Sequence, residues 1–267
     1  AGNIAIFSNT IEIDTTPPVI TGGLDVASDS GVEGDGITNV RTPTFTGTGE
    51  VGARVTLNID GQTHSTFIDE NGQWSITVNT LSGDGVKNYS FYAVDRAGNQ
   101  SATQTYEMTL DTITEVTARL SVGSDTGFFN DDGITKETRP FFSGTAEPGA
   151  TVTIELIDAN NQQVRQYPVT VQANGNWSVQ ITEALPEGEY TYNVHATDIA
   201  GNEATATGQI EIDLTAPTPF TGGLDPESDS GVSNTDKLTN VTLPTFTGTG
   251  EAGARVTLNL DNQNHTV

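Results

Sequence analysis

The feature that most constrains this chain is its internal repetition, with a period near 100 residues. Three stretches align: Thr46–Gly52 reads TGTGEVG, Ser143–Gly149 reads SGTAEPG and Thr247–Gly253 reads TGTGEAG. Their first glycines, Gly47, Gly144 and Gly248, are 97 and 104 residues apart. A second set agrees: DRAGN at 95–99, DIAGN at 198–202 and AGN at 1–3. A third, NGQWS at 71–75 and NGNWS at 174–178, has a step of 103. A period this long is a whole domain rather than one turn of a solenoid.

The boundaries follow from the same alignment. Asp14-Thr15-Thr16-Pro17-Pro18 and Asp213-Leu214-Thr215-Ala216-Pro217 read as junctions, and Asp111-Thr112-Ile113-Thr114 is a middle version without proline. Residues 1–14 are then expected to be the last strand of a preceding repeat. Residues 15–111 and 112–213 are expected to be complete repeats, and 214–267 the N-terminal half of a further one. The chain reads as an excerpt from a longer array. The first and third copies share TGGLD (21–25, 221–225) and SDSGV (28–32, 228–232), which suggests duplication of a domain pair.

Within one repeat the apolar residues alternate with period two, and helical periodicity is absent. Val55, Leu57 and Ile59 alternate with Thr56 and Asn58; Trp74, Ile76 and Val78 with Ser75 and Thr77. Tyr89, Phe91 and Ala93 share a face, as do Tyr192, Val194 and Ala196; Tyr106, Met108 and Leu110 close the repeat. Seven strands are expected in the first repeat, near 18–25, 43–48, 53–60, 63–68, 73–79, 86–94 and 101–110. The Asn-Gly pairs at 71–72 and 174–175 are expected to be hairpin turns, because both residues tolerate positive φ. Seven short strands per 100 residues predict an all-β fold: tandem immunoglobulin-like sandwiches without disulfides, since the chain has no cysteine. Linkage with almost no spacer predicts an elongated rod.

Charge narrows the function. With 35 Asp+Glu against 10 Lys+Arg the net charge is −25. Such a surface repels phosphates and anionic lipid heads, so nucleic acid and membrane docking are poor partners and divalent cations good ones. No apolar run approaches a membrane span, so no membrane insertion is expected in this segment.

The acids recur where strands end. The first A–B loop carries Asp29 and Asp35; its counterparts carry Asp125, Asp131 and Asp132, then Asp229 and Asp236. The F–G loops carry Asp95/Asn99 and Asp198/Asn202, the B–C loops Glu50, Glu147 and Glu251, and the junctions Asp14, Asp111 and Asp213. One junction is expected to gather Asp29, Asp35 and Asp111 from one repeat with Glu147, Asp198 and Asn202 from the next. Crowded carboxylates raise one another's pKa unless a cation relieves them. Oxygen-only ligands point to a hard ion, and six to eight flexible oxygens suit calcium better than magnesium. The competing reading is a solvated loop in which Asp and Gly merely make turns.

Together, D-S-G…D-G-I-T-N, P-x-F-x-G-T-x-E-x-G-A-x-V-T, N-G-x-W-S and D-x-A-G-N resemble the bacterial Ig-like (BIg) repeats of giant adhesins exported by type I secretion, the SiiE-like and Bap-like biofilm proteins. The resemblance covers the whole chain. It implies junctional calcium that stiffens the rod, on Asp29, Asp35, Asp111 and Asp198, with Asp125, Asp132 and Asp213 at the next junction. It also implies a secreted, cell-surface location, monomeric behaviour and contact with adjacent Ig-like repeats of the same chain.

Catalytic motifs are missing: there is no G-x-S-x-G, no H-E-x-x-H and no phosphate loop. Carboxylates repeated at every junction are unlike a single active site. A non-catalytic calcium-binding spacer is therefore the leading reading. The alternative is a module contacting a host-cell glycan or protein receptor directly, for which Tyr92 and Phe128/Phe129 are the candidate contacts. Trp74 and Trp177 are expected in the core.

Overall fold

The computed structural model describes residue 4, residues 6–160 and residues 162–267. The chain falls into two compact units. One comprises Ala1–Arg119, Phe141–Ile181 and Tyr190–Gln209, the other Leu120–Pro140, Thr182–Glu189 and Ile210–Val267. Of the terminal strand expected at 1–14, residues 1–3 and 5 lie outside the described residues; the rest is exposed and carries no strand assignment.

The first repeat has strands β1 (Ile20–Leu24), β2 (Ile37–Thr38), β3 (Thr44–Gly49), β4 (Arg54–Ile59), β5 (Gln62–Phe67), β6 (Gln73–Thr77), β7 (Gly85–Val94) and β8 (Gln104–Leu110). They form a two-sheet sandwich, β1-β3-β6 against β2-β8-β7-β4-β5. Seven of the eight lie where alternation predicts them. The eighth, β2, pairs in parallel with the end of β8, Ile37 opposite Thr109 and Thr38 opposite Leu110. Two residues are too few to show a period, so no pattern announces this strand. Buried Thr38 anchors it by donating its hydroxyl to the Ser28 carbonyl at 2.5 Å.

Apart from Tyr106, which is exposed, the inward faces are the apolar ones read from the sequence. Phe45, Val55, Leu57, Ile59, Trp74, Ile76, Phe91, Met108 and Leu110 form the core. Full burial of each large apolar side chain contributes about 1.5–3 kcal/mol. The Gly-Thr motifs have a steric cause. A Cβ on Gly22 would lie 2.2 Å from Trp74 Cζ2, and one on Gly47 2.0 Å from the Thr21 carbonyl. The facing glycines open a slot that the indole fills, and Trp74 Nε1 donates to Thr21 O at 3.0 Å. Gly144 repeats the slot for Trp177, with a Cβ–Cζ2 separation of 2.6 Å.

The Asn-Gly pairs are not hairpin turns between strands of one sheet, although an isolated antiparallel bridge, Val171 to Trp177, flanks the second pair. Strands β5 and β6 belong to different sheets. Only Gly72 of the pair has positive φ, and Asp69 Oδ1 holds the turn by accepting from the amides of Asn71 and Gln73. The two-residue hairpin joins β4 to β5 at Asp60-Gly61, both at positive φ. Asp there does the work expected of Asn.

The second repeat adds β9 (Arg119–Leu120), β10 (Ile134–Thr135), β11 (Phe141–Thr145), β12 (Thr151–Asp158), β13 (Gln163–Val169), β14 (Asn176–Gln180), β15 (Gly188–Thr197) and β16 (Glu203–Ile212). In the first unit, β15 and β13 flank β12, and β11 pairs with β14. In the second unit, β10 pairs in parallel with the end of β16, Ile134 opposite Glu211. The third copy contributes β17 (Thr221–Leu224), β18 (Phe246–Thr249), β19 (Thr257–Leu260) and β20 (Gln263–Thr266). These form two separate two-stranded ribbons, β17-β18 and β19-β20.

Candidate metal centres

Two groups of three carboxylates converge among the described residues: Asp14, Glu50 and Asp95, and Asp111, Glu147 and Asp198. Within each group one oxygen per residue lies within 4.8 Å of the others. The groups are the same constellation one repeat apart. Asp111 follows β8 directly, and its amide donates to Thr38 O at 2.9 Å. Glu147 opens the turn from β11 to β12, closed by the Ala150 amide on Glu147 O at 3.0 Å. Asp198 follows β15 and is buried.

An asparagine organises each group. Asn202 gives its amide to Asp198 Oδ1 and its side-chain NH₂ to Asp198 Oδ2, both at 2.8 Å. The same NH₂ reaches across to Asp111 O at 2.9 Å. In the preceding copy, Asn99 donates to both oxygens of Asp95 at 2.8 Å and to Asp14 O at 3.1 Å. Asn202 therefore orients a carboxylate and ties the junction strand to the F–G turn.

The electrostatics are those of anions held together. Burial pushes the Glu147 carboxyl up, and the charges of Asp111, Asp198 and Glu115 push it further. At Asp95 burial also pushes up, but hydrogen bonds from Asn99 and Gly98 outweigh it and leave the carboxyl below its usual range. A divalent cation among three such carboxylates removes the repulsion, and flexible carboxylate oxygens are calcium's ligand type.

The A–B loop acids lie elsewhere. Asp29 and Asp35 belong to neither group. Asp29 Oδ2 accepts from the Gly34 amide at 2.7 Å, and Asp35 Oδ1 from the Ile37 amide at 2.8 Å. In the second copy Asp125 Oδ2 accepts from Gly133 and Asp132 Oδ1 from Ile134, while Asp131 is exposed. In the third, Asp229 Oδ2 accepts from Lys237 and Asp236 Oδ1 from Leu238. In all three copies the other oxygen of the first aspartate, Oδ1 of Asp29, Asp125 and Asp229, is buried without a hydrogen-bond partner. Burial, then Asp132 and Asp131, push the Asp125 carboxyl up. A buried carboxylate oxygen left unpaired is costly, and a cation is the natural partner where its neighbours are also acids. Asp213 Oδ1 accepts from the Thr215 amide, and Glu251 Oε2 from Thr218. Neither residue belongs to a group of three.

Glu50 completes the first group with Asp14 and Asp95, as Glu147 completes the second. Its equivalence to Glu147 in the repeat alignment is the signal that finds it.

The sequence model of the bacterial Ig-like domain matches residues 14–112, 112–214 and 215–267. The chain belongs to the bacterial Ig-like domain family. No curated protein matches the sequence. Among solved structures, a 1.5-MDa bacterial ice-binding adhesin is 23% identical over 95% of this chain and 84% of that one, with a TM-score of 0.46. A Ca²⁺-stabilized adhesin of an Antarctic bacterium that binds ice is 24% identical, covering 95% of this chain and 63% of that one, TM-score 0.42. A tetra-tandem repeat from the extending region of a large adhesion protein is 20% identical over 93% and 61%, TM-score 0.36.

The remaining candidates of these Ig-like repeats are of two kinds. Trp74 and Trp177 are buried, so neither offers a face to a sugar. Phe128 and Phe129 are exposed and pack edge to face at 4.8 Å, with the Arg255 guanidinium 5.2 Å above Phe128. Tyr92 is half-buried. No helix is long and apolar enough to cross a membrane.

Proposed function

We propose that this chain is a calcium-binding, non-catalytic spacer segment of a large, secreted bacterial surface adhesin, with repeats at 15–111 and 112–213. The observation that carries the proposal is the carboxylate triad tied by an asparagine, built twice with the same hydrogen bonds. Calcium at Asp111, Glu147 and Asp198 joins the end of one repeat to two loops of the next. A second set of ions, on the A–B loop aspartates, accounts for the unpaired Oδ1 in each copy. The segment acts as a monomer whose partners are its neighbouring repeats.

Calorimetric titration and thermal unfolding with calcium and with chelator test the reading. An ion that binds only the folded form adds about 2.7 kcal/mol at 100 times its Kd. Melting and scattering dimensions unchanged by chelation overturn it. The exposed Phe128–Phe129 pair favours the second reading, direct contact with a host glycan or protein receptor. Binding to a receptor panel that survives chelation and is lost in Phe129→Ala would establish that reading instead.

A further inference from the structure

Besides the carboxylates, the first two repeats meet backbone to backbone. The A–B loop tip Ser30-Gly31-Val32 lies on the F–G turn Ile199-Ala200-Gly201. Ser30 Oγ donates to Ala200 O at 2.6 Å, and the Val32 amide donates to Ile199 O at 3.1 Å. Gly31, at φ +71, has no room for a side chain: a Cβ would lie 2.0 Å from Ile199 O and 2.7 Å from the Ala200 carbonyl carbon. The approach from the other side is tight as well. A Cβ on Gly201, at φ +87, would lie 3.2 Å from Gly31 Cα and Gly31 N.

The first repeat supplies the comparison. Its F–G turn, Asp95-Arg96-Ala97-Gly98-Asn99, has the same Ala-Gly pair, with Gly98 at φ +97. Among the described residues nothing lies within 4 Å of a Cβ on Gly98, and Ala97 is exposed. Ala200, its counterpart, is 0% exposed. The turn is the same; the seated tip is what buries it. Tips of the same kind recur at Thr126-Gly127-Phe128 and Ser230-Gly231-Val232.

We infer that the Ser/Thr-Gly tip of one repeat and the Ala-Gly turn of the next form a joint that needs no ion. The turn supplies two consecutive outward carbonyls; the tip supplies a hydroxyl, an amide and a bare Cα. The recognition is mostly through backbone, so it tolerates Val or Phe after the tip glycine and Arg or Ile before the turn alanine. It excludes a side chain at the tip glycine and disfavours one at the turn glycine. The partner of a free tip is therefore the D-x-A-G-N turn of another repeat. Calcium at the triad then adds to a contact that already orients the two repeats.

The absence of cysteine allows a direct test. Spin labels at Ser65→Cys and Thr170→Cys, both exposed positions, report the distance between the repeats by double electron–electron resonance. In chelator the parent chain is expected to give one narrow distance distribution. Gly31→Ala and Gly201→Ala are expected to lose that narrow peak. Gly34→Ala and Gly98→Ala introduce a side chain at the same kind of positive φ, where nothing lies within 4 Å, and are expected to keep it. Four variants that broaden alike would mean that loop strain is the cause and overturn the inference. So would a parent distribution already broad without calcium, or narrow peaks in both Gly31→Ala and Gly201→Ala. Because every measurement is made in chelator, failure here leaves the calcium reading standing, and the reverse also holds.

Discussion

The first and third copies share the stretches TGGLD, SDSGV and TFTGTGE, yet bury their side chains differently. Strand β1 pairs with β3, Gly22 opposite Gly47; β17 pairs with β18 in the same register, Gly222 opposite Gly248. The Thr21–Thr48 hydroxyl pair recurs as Thr221–Thr249, at 2.8 and 2.7 Å. The tight turn Asp60-Gly61 recurs as Asp261-Asn262, both residues again at positive φ. Burial does not recur. Phe45, Val55 and Ile59 are 0%, 0% and 1% exposed, whereas Phe246, Val256 and Leu260 are 37%, 37% and 42% exposed. Pairing is thus set by neighbours along the chain. Burial requires counterparts of β6, β7 and β8, which residues 214–267 do not contain. In the first repeat those strands supply Tyr89 against Phe45, at 4.7 Å between ring centroids, and the Trp74–Phe91 pair, at 5.3 Å.

The largest expected effect breaks this asymmetry from the buried side. Phe45→Ala should destabilise the first repeat by about 3–5 kcal/mol, and Phe246→Ala should change stability by less than about 0.5 kcal/mol. Thermal unfolding followed by calorimetry measures both. Equal costs would mean that the third copy has a core of its own. A second experiment works from the exposed side. Adding a copy of residues 67–111 after Val267 should raise amide protection of Phe246 and Val256 to the level of Phe45 and Val55. Hydrogen exchange reads this, and unchanged protection would show that the ribbons cannot close into a sandwich.

Calcium sharpens the comparison on a smaller scale. Asp198→Asn should remove most of the calcium-induced rise in melting temperature of the second repeat. Asp213→Asn should leave that rise nearly intact, since Asp213 belongs to neither carboxylate group. Glu147→Gln should act with opposite sign in the two conditions. Without calcium it relieves repulsion and raises the melting temperature; with calcium it removes a ligand and lowers it.

The smallest expected effect is that of pH. Glu147 and Asp125 have folded-state pKa values raised above their unfolded ones. Their favourable contribution is fully present below the unfolded pKa and is lost as pH rises through the folded pKa. Asp95, lowered, contributes above its unfolded pKa and loses that contribution as pH falls through the folded one. Metal-free unfolding of Glu147→Gln should therefore lose part of the parent's decline in stability as pH rises through the carboxylate range. Identical pH profiles would exclude Glu147 as a source of the strain.

Much of this architecture is legible in one sequence. Period-two alternation places seven strands because it reports which side chains share a face. The junction acids stand out because they recur with the repeat. What is not legible is which loops converge. Asp29 and Asp111 both belong to the C-terminal end of the first repeat, yet Asp111 joins Glu147 and Asp198 while Asp29 turns back on the Gly34 amide. Asn202 reads as one more turn residue until its NH₂ is seen to bridge Asp198 and Asp111 O.

By itself the sequence determined the repeat, the alternating strands, the absence of disulfides and the concentration of acids in the loops. Each of these depends on residue identity and short spacing alone. The tertiary structure alone decided the glycine slots for Trp74 and Trp177, the parallel strand β2, the membership of the carboxylate triads and the seating of Gly31 on Ala200. Each depends on two segments far apart in sequence approaching within a few ångströms. Whether they do is set by sheet packing, which no local pattern encodes.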